Sequence, residues 1–548
     1  MNELLKTAIQ LLGKRKLVQY ILLGILSGLC SFLFINSVTR VIGLIISGSV
    51  ASVRKEYIIA FLLIILLVIW IRRTLALGLI NLSQRTLWKL RKQILSLILD
   101  ANYQQLISRR PQVMPAIMND VNTILDASLG IIDFCTSLIV AVCCLAYLLS
   151  LSWILFLITI VISAIGITVY QLNAKRNLQL FMKVRQLETK FQGDLFAIVD
   201  GFKEVFMEPK KGRYIFNHRV TQVANESYQG NVSAFTGFLN NQITGQILFY
   251  ILISSVLLVF SEALNIKTNN AISFVFTLLY LLGAIEMVMV ILPRMARAKI
   301  ASKNLIKLKT DLEESNFSNP LPKRYILKNE FNQLTIRNLE FYYGKDEKSF
   351  GVGPIDFDLQ KGEIAFIYGG NGSGKTTFVF SILGLCYPSA GEVKFNDILV
   401  TSENYTEYRT MFSVVFSNFY LFDEIIGVNN FDLERWNYYL RLFEIEDKVK
   451  LEGMKLSTTD LSTGQRKRLA LILTLLEDKP ILVMDEWAAD QDPVFRKKFY
   501  IEILPLLKEE GFTIIAITHD DKYYPCADKV YKMNYGKLSE EQIAVFQH

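Results

Sequence analysis

Gly369-Gly370-Asn371-Gly372-Ser373-Gly374-Lys375-Thr376-Thr377 decides how the second half of this chain folds. The stretch follows Glu363-Ile364-Ala365-Phe366-Ile367-Tyr368, a short buried-strand pattern, and precedes the helix-like Phe378 to Leu385. Strand, glycine-rich loop with the spacing G-x-x-x-x-G-K-T, and helix form a unit that binds phosphate. Its glycines let backbone N–H groups converge on phosphate oxygens, and the helix N-terminus adds partial positive charge. Lys375 is placed to reach the β and γ phosphates and Thr376 to ligate Mg²⁺.

Further on, Ile481-Leu482-Val483-Met484 reads as a second buried strand, ending in Asp485-Glu486. An acid at that strand tip can hold the Mg²⁺ shell, and the next can polarise an attacking water as general base. Two acids after an apolar run say little alone. With the phosphate loop upstream, they specify ATP hydrolysis in an α/β domain.

The first three hundred residues obey different rules. Apolar residues make up 51% of the chain's 548 and crowd into long runs there, with a mean hydropathy of +0.31 overall. Runs lie at Leu17 to Asn36, Tyr57 to Leu82, Gly130 to Ser150, Trp153 to Tyr170, Thr244 to Ser261 and Ala271 to Leu292. Each is near the ~20 residues a helix needs to cross ~30 Å of hydrocarbon. Six membrane spans are predicted. The intervening stretches Ser83 to Asp126 and Gln171 to Gln242 are polar but poor in Gly and Pro, so they predict helical continuations into the cytoplasm. Their connectors are expected near Arg109 to Ala116 and Gly201 to Lys211. The domains predicted are 1–312 in the membrane, a linker over 313–333 with Pro320 and Pro322, and an ATP-binding domain over 334–548.

Basic residues set the orientation. Lys14, Arg15 and Lys16, then Lys89, Arg91 and Lys92, then Lys175 and Arg176, then Arg294 and Arg297 all flank one side of the spans. Arg40, Arg54 and Lys55 run against the trend. The balance predicts both termini in the cytoplasm. The net charge of +8 then faces anionic lipid and is no nucleic-acid footprint. No small-x-small cleavage site follows the first span, so the N-terminus reads as retained, with an amphipathic helix from Leu4 to Leu12 on the membrane surface. The six cysteines show no metal spacing and read as small buried apolar residues.

Leu461-Ser462-Thr463-Gly464-Gln465, before the basic helix Arg466-Lys467-Arg468-Leu469-Ala470, resembles the signature of ATP-binding cassette proteins, with Thr463 in place of a glycine. That resemblance implies that Ser462 and Gly464 contact the γ-phosphate held by an opposite cassette, so two copies pair as a homodimer. Tyr343 resembles the aromatic that stacks on adenine. Asp492, in Ala489-Asp490-Gln491-Asp492, resembles the loop coupling the two sites, and His519 the switch residue that reads the γ-phosphate. Where the family places a Gln at the metal and the attacking water, Ser417 stands in Phe416-Ser417-Asn418-Phe419, with Asn418 or a water expected to complete the shell.

Trp487 after Glu486, together with the loss of that Gln, is similar to the bacterial exporters of cyclic peptides, peptide siderophores and small microcins. The resemblance covers nearly the whole chain and implies a multi-pass protein of the bacterial cytoplasmic membrane, with a small peptide-like cargo and an outer-membrane channel as a further candidate partner. Within the spans, Arg72, Arg73 and Glu286 are the intramembrane charges expected to line the cargo path, with Asn240, Asn241, Gln242 and Gln246 as added amide contacts. Interfacial snorkelling is the alternative for the two arginines. A lipid or lipopeptide flippase and a regulatory cassette without turnover are the rival functions. Fusion of spans and cassette argues against an importer.

Overall fold

The computed structural model describes residues 22–34, 36–42, 54–263, 268–313, 330–343, 350–428 and 430–542, with 19 and 327. The amphipathic segment expected over Leu4 to Leu12 and the centre of the 313–333 linker lie outside the described residues. Two compact units emerge: residues 1–99 with 108–314, and residues 100–107 with 315–548.

In the first unit, six helices are long and apolar enough to cross a membrane: Leu22–Ile42, Tyr57–Asp100, Arg109–Leu151, Trp153–Asp200, Pro209–Phe260 and Asn270–Glu313. At 1.5 Å per residue, the longer ones extend roughly 65–78 Å, about twice the hydrocarbon thickness. The surplus forms the predicted continuations. Leu63, Ile69, Trp70 and Leu258 stand on the outside of this unit, as a helix surface facing lipid requires. Inside, Cys144, Leu148, Leu155, Phe249, Phe274 and Leu278 share one core. Beyond the apolar runs, ion pairs join apolar packing such as Phe181 on Phe238: Arg185 with Asp120 at 2.8 Å, Arg219 with Asp194 at 2.8 Å and Arg109 with Asp311 at 3.0 Å.

The second connector falls where the sequence places it, with Gly201 ending one helix before short helices Phe202–Met207 and Pro209–Tyr214. The first does not. The break comes at Ala101 and Asn102, ahead of Arg109 to Ala116. Asn102 Oδ1 accepts from Gln104 N–H at 3.0 Å, starting the helix Tyr103–Pro115. Pro111 and Pro115 do not end it; the chain runs on through a wide π turn, Ala116–Asp120, into the third span. Among the cysteines, Cys30, Cys144 and Cys386 are buried, but Cys135 is exposed.

The second unit holds two main sheets and a small antiparallel hairpin of β7 (Leu451–Glu452) and β8 (Lys455–Leu456). Strands β1 (Gln333–Tyr342), β2 (Gly351–Gln360), β4 (Ala390–Phe395) and β5 (Ile398–Leu399) form an antiparallel sheet in the order β2-β1-β4-β5. Strands β3 (Ile364–Tyr368), β6 (Phe412–Val415), β9 (Ile481–Asp485), β10 (Thr513–Ile517), β11 (Lys529–Asn534) and β12 (Lys537–Glu541) form the other, ordered β12-β11-β3-β10-β9-β6. All its neighbours are parallel except β11 with β12. The continuous burial of β9 and β10 is what a sheet covered on both faces demands. Because β3, β6, β9 and β10 run parallel, the loops leaving them open at one edge of the sheet. That edge is where open α/β sheets bind ligands.

Candidate functional site

The phosphate loop leaves β3 at Gly369, whose φ of +153° suits glycine; a Cβ there would come within 2.2 Å of the Met533 carbonyl oxygen. Gly374, at φ +110°, would drive a Cβ to 2.6 Å from Val352 Cγ1. Between them Gly370, Asn371 and Gly372 form the open rim, and Ser373 Oγ is buried with no partner among the described residues. Lys375 Nζ donates to the Gly369 and Gly370 carbonyls at 2.9 and 3.1 Å. Burial pushes its pKa below the ordinary lysine value, against the opposing pull of Glu486 and Asp485. Thr376 is exposed in the first turn of the helix Lys375–Ile382, while buried Thr377 Oγ1 lies 3.3 Å from Tyr343 Oη. Tyr343 presents an exposed ring beside this loop, braced by Phe341 and Phe350.

Asp485 ends β9 in a buried position. Its Oδ2 accepts from Ser417 Oγ at 3.0 Å, and its Oδ1 is buried without a partner among the described residues. Burial raises the carboxyl pKa, the Ser417 hydrogen bond lowers it, and the charge of Glu486 raises it again. A buried carboxylate oxygen with open lone pairs beside the Ser417 hydroxyl, with Thr376 exposed in the first turn of the phosphate-loop helix, fits a hard divalent cation such as Mg²⁺. These three would hold it, and it would supply charge neutralisation at phosphate oxygens.

Glu486 takes φ +51°, uncommon for any residue with a side chain. This turn points its carboxylate to His519, Oε1 to Nε2 at 3.3 Å, and its N–H donates to the Ile517 carbonyl at 3.1 Å. Both side chains are part-exposed, so water reaches the pair. The arrangement sets a carboxylate against an imidazole ring within electrostatic reach of Lys375 in the phosphate loop.

The signature residues lie apart from this group. Ser462 caps the helix Thr463–Leu475 in a reciprocal box: its Oγ accepts from Gln465 N–H at 3.4 Å, and Gln465 Oε1 accepts from Ser462 N–H at 3.2 Å. Gly464 packs so closely that a Cβ would sit 2.9 Å from the Asp490 carbonyl oxygen, and its own carbonyl accepts from Gln491 Nε2 at 3.1 Å. Asp492 caps the next helix, Pro493–Lys498, accepting from Val494 and Phe495 N–H groups, and pairs with Arg468 at 2.9 Å. Those backbone donors, foremost that of Phe495, hold its pKa below the usual range.

Sequence reasoning overlooked Lys467, which is buried and donates to the Glu486 carbonyl at 2.8 Å. Its only signal was a second basic residue in the signature helix. It also missed a ring series within this unit: Phe416, adjacent to Ser417, meets Phe380 edge-on at 5.8 Å, and Phe380 meets Tyr103 of the first connector at 5.8 Å.

In the membrane unit, a cavity of about 590 Å³ is lined by Arg72, Asp133, Ser27, Ser31, Thr136 and Tyr280, with Leu279 and Met287. Arg73 and Glu286 are absent from its walls. Glu286 instead accepts from Gln246 Nε2 at 2.5 Å, joining the fifth and sixth spans. Only Arg72 of the three intramembrane charges singled out reaches the cavity. Asp133, a charge inside the run Gly130 to Ser150, carried the same signal and was passed over.

The family described as ABC transporter matches residues 352–489. Along almost its full length, the chain is similar to the ATP-binding protein SyrD of Pseudomonas syringae pv. syringae, at 30% identity over 94% of this chain and 92% of that protein. The cassette is similar to the energy-coupling factor transporter ATP-binding protein EcfA1 of Staphylococcus aureus (strain MRSA252), at 29% identity over 39% of this chain and 84% of EcfA1. The fold matches a bacterial Atm1-family ABC exporter solved with ATP bound, with a TM-score of 0.77, 14% identity and coverage of 95% and 93%. The chain belongs to the ABC transporter family, with its membrane half ahead of the cassette. It is a multi-pass membrane protein that couples ATP hydrolysis to transport.

Proposed function

We propose that two copies of this chain pair in the bacterial inner membrane, with both termini in the cytoplasm, and export a small peptide-like cargo. Each ATP lies between the phosphate loop of one copy and Ser462 and Gly464 of the other. Thr376, Asp485 and Ser417 hold Mg²⁺, Tyr343 stacks on adenine, Glu486 activates water and His519 reads the γ-phosphate. Asp492 couples the two sites. Lipid surrounds the membrane half, and nucleic acid has no part.

The observation that carries the cargo reading is the cavity holding Arg72 and Asp133. A volume of about 590 Å³ falls within the ~300–1,000 Å³ of small-molecule sites. Charged groups at membrane depth are costly and persist where a polar ligand or water meets them. Opposite charges with Ser, Thr and Tyr hydroxyls suit a short peptide bearing amide, amine and carboxylate groups. Acyl chains would leave them unsatisfied.

The test compares small peptides in the medium of cells carrying the chain, the Glu486→Gln variant, or no chain. A peptide present only with active protein supports the reading. Unchanged medium, with a lipid moved to the outer leaflet instead, would make the chain a flippase.

A further inference from the structure

Lys467 sits on the signature helix, two residues past Gln465, yet its side chain turns inward and is almost fully buried. Nζ donates to the Glu486 carbonyl at 2.8 Å and pairs with Asp490 Oδ2 at 2.7 Å. Its own backbone carbonyl accepts from the Trp487 indole N–H, also at 2.8 Å. One residue therefore grips the chain at 486, 487 and 490, across the turn that carries the proposed base.

That turn needs gripping. A left-handed conformation at a residue with a Cβ is unfavourable and persists only where its surroundings over-determine it. Around Glu486 the fixing contacts are the N–H to Ile517, the carbonyl to Lys467 and the carboxylate to His519. Trp487 anchors the next position by packing on Phe499 at 4.3 Å and on Phe443 and Phe495. A buried ammonium is costly unless paired, and here its two close partners both belong to the segment it holds.

We infer that Lys467 is a positioning residue: it holds Glu486 in its left-handed turn and ties the base of one ATP site to the signature that meets the ATP of the other. Gly464 lies within one turn of Lys467 on this helix, and the N-cap Ser462 within about a turn and a half. A shift of the helix N-terminus on meeting the partner's nucleotide therefore moves the ammonium that sets the copy's own base. This rests on the proposed roles of Glu486 and of the signature.

The experiment uses the full chain in lipid nanodiscs. Lys467→Met removes the grip while keeping the bulk, and turnover should fall about a hundred-fold, the scale of an ångström-sized misplacement of a reacting group. ATP Kd and KM should stay within about twofold, because the phosphate loop is untouched, and the ATP dependence of hydrolysis should lose cooperativity. Lys467→Arg should restore a large part of turnover. Asp490 is half-exposed, so Asp490→Asn tests the same grip without threatening the fold and should lower kcat a few-fold. Near-normal turnover in Lys467→Met, or kcat and ATP affinity falling together with no rescue by arginine, would overturn the inference. Glu486→Gln is measured in parallel. If that variant hydrolyses ATP normally, the reading of the base has failed; if it is inactive while Lys467→Met is normal, only the role of Lys467 has.

Discussion

The phosphate loop and the signature are both glycine-containing turns at helix N-termini, but they leave the free N–H groups there in opposite states. Around Lys375 the loop is propped open by glycines at φ +153°, +76° and +110°, with Ser373 Oγ unpartnered and Asp485 Oδ1 unpartnered across the site among the described residues. Around Ser462 the same kind of helix end is closed by its own capping box, and Gly464 is pressed against Asp490. One turn is built to receive an anion within its own chain. The other is satisfied alone and meets a phosphate only by exchanging its internal contacts for external ones. Under the proposed pairing of two copies, the difference teaches which half of an ATP site a single copy supplies.

The largest effect should come from the base on the open side. Glu486→Gln should lower turnover by about 10²–10⁴-fold while ATP still binds, since an amide cannot take the proton of water. Phosphate release and nucleotide binding measured on one preparation check this. Normal release would remove Glu486 from the chemistry.

Two alanine substitutions then sharpen the contrast. Gly374→Ala puts a Cβ into a φ of +110° and against Val352, so it should cost about 1–3 kcal/mol of stability and weaken ATP binding. Gly464→Ala meets the Asp490 carbonyl instead. It should leave ATP Kd unchanged and depress only the turnover that depends on two copies. If both variants lose ATP affinity equally, the two turns are not different devices.

Ser462→Ala is milder. Loss of the cap should destabilise the chain by about 1 kcal/mol, read as a small drop in Tm, and should lower kcat more than that cost explains. A drop in Tm with unchanged kcat would reduce Ser462 to a cap.

These contrasts also mark what the sequence could disclose. Backbone-defined devices were legible: the phosphate loop demands glycine at fixed spacing, and β3, β9 and β10 announce themselves as uninterrupted apolar runs. The spans were legible because lipid tolerates little else. Lys467 was not, because a lysine in a basic helix looks like a solvated face until the fold buries it. Asp133 and Arg72 reach one cavity while Glu286 turns to Gln246, a choice set by helix rotation that a run of apolar residues does not encode. The first connector was misplaced for a related reason: Pro111 and Pro115 read as a break, but both lie inside the helix Tyr103–Pro115, and the chain continues through a π turn into the third span.

The smallest effect concerns Asp485, and its sign is the informative part. Burial raises the pKa of this carboxyl, so the folded chain prefers it protonated. The associated stability is fully present below the ordinary aspartate value of about 3.9 and is lost as pH rises through the raised folded value. Above that value the ionised group, with Oδ1 unpartnered among the described residues, is a cost that the open side of the site carries. Asp485→Asn removes the ionisation, so the nucleotide-free variant should melt at a higher temperature than wild type at pH 7.5, with the gap closing toward pH 4. Adding ATP and Mg²⁺ should reverse the order, because ligand binding stabilises the wild type by mass action and the variant lacks the carboxylate proposed to hold the cation. Scanning the full chain at both pH values, with and without nucleotide, reads all four states. A variant no more stable than wild type at pH 7.5 would mean that Asp485 is already satisfied, and that the phosphate-loop side is as closed as the signature.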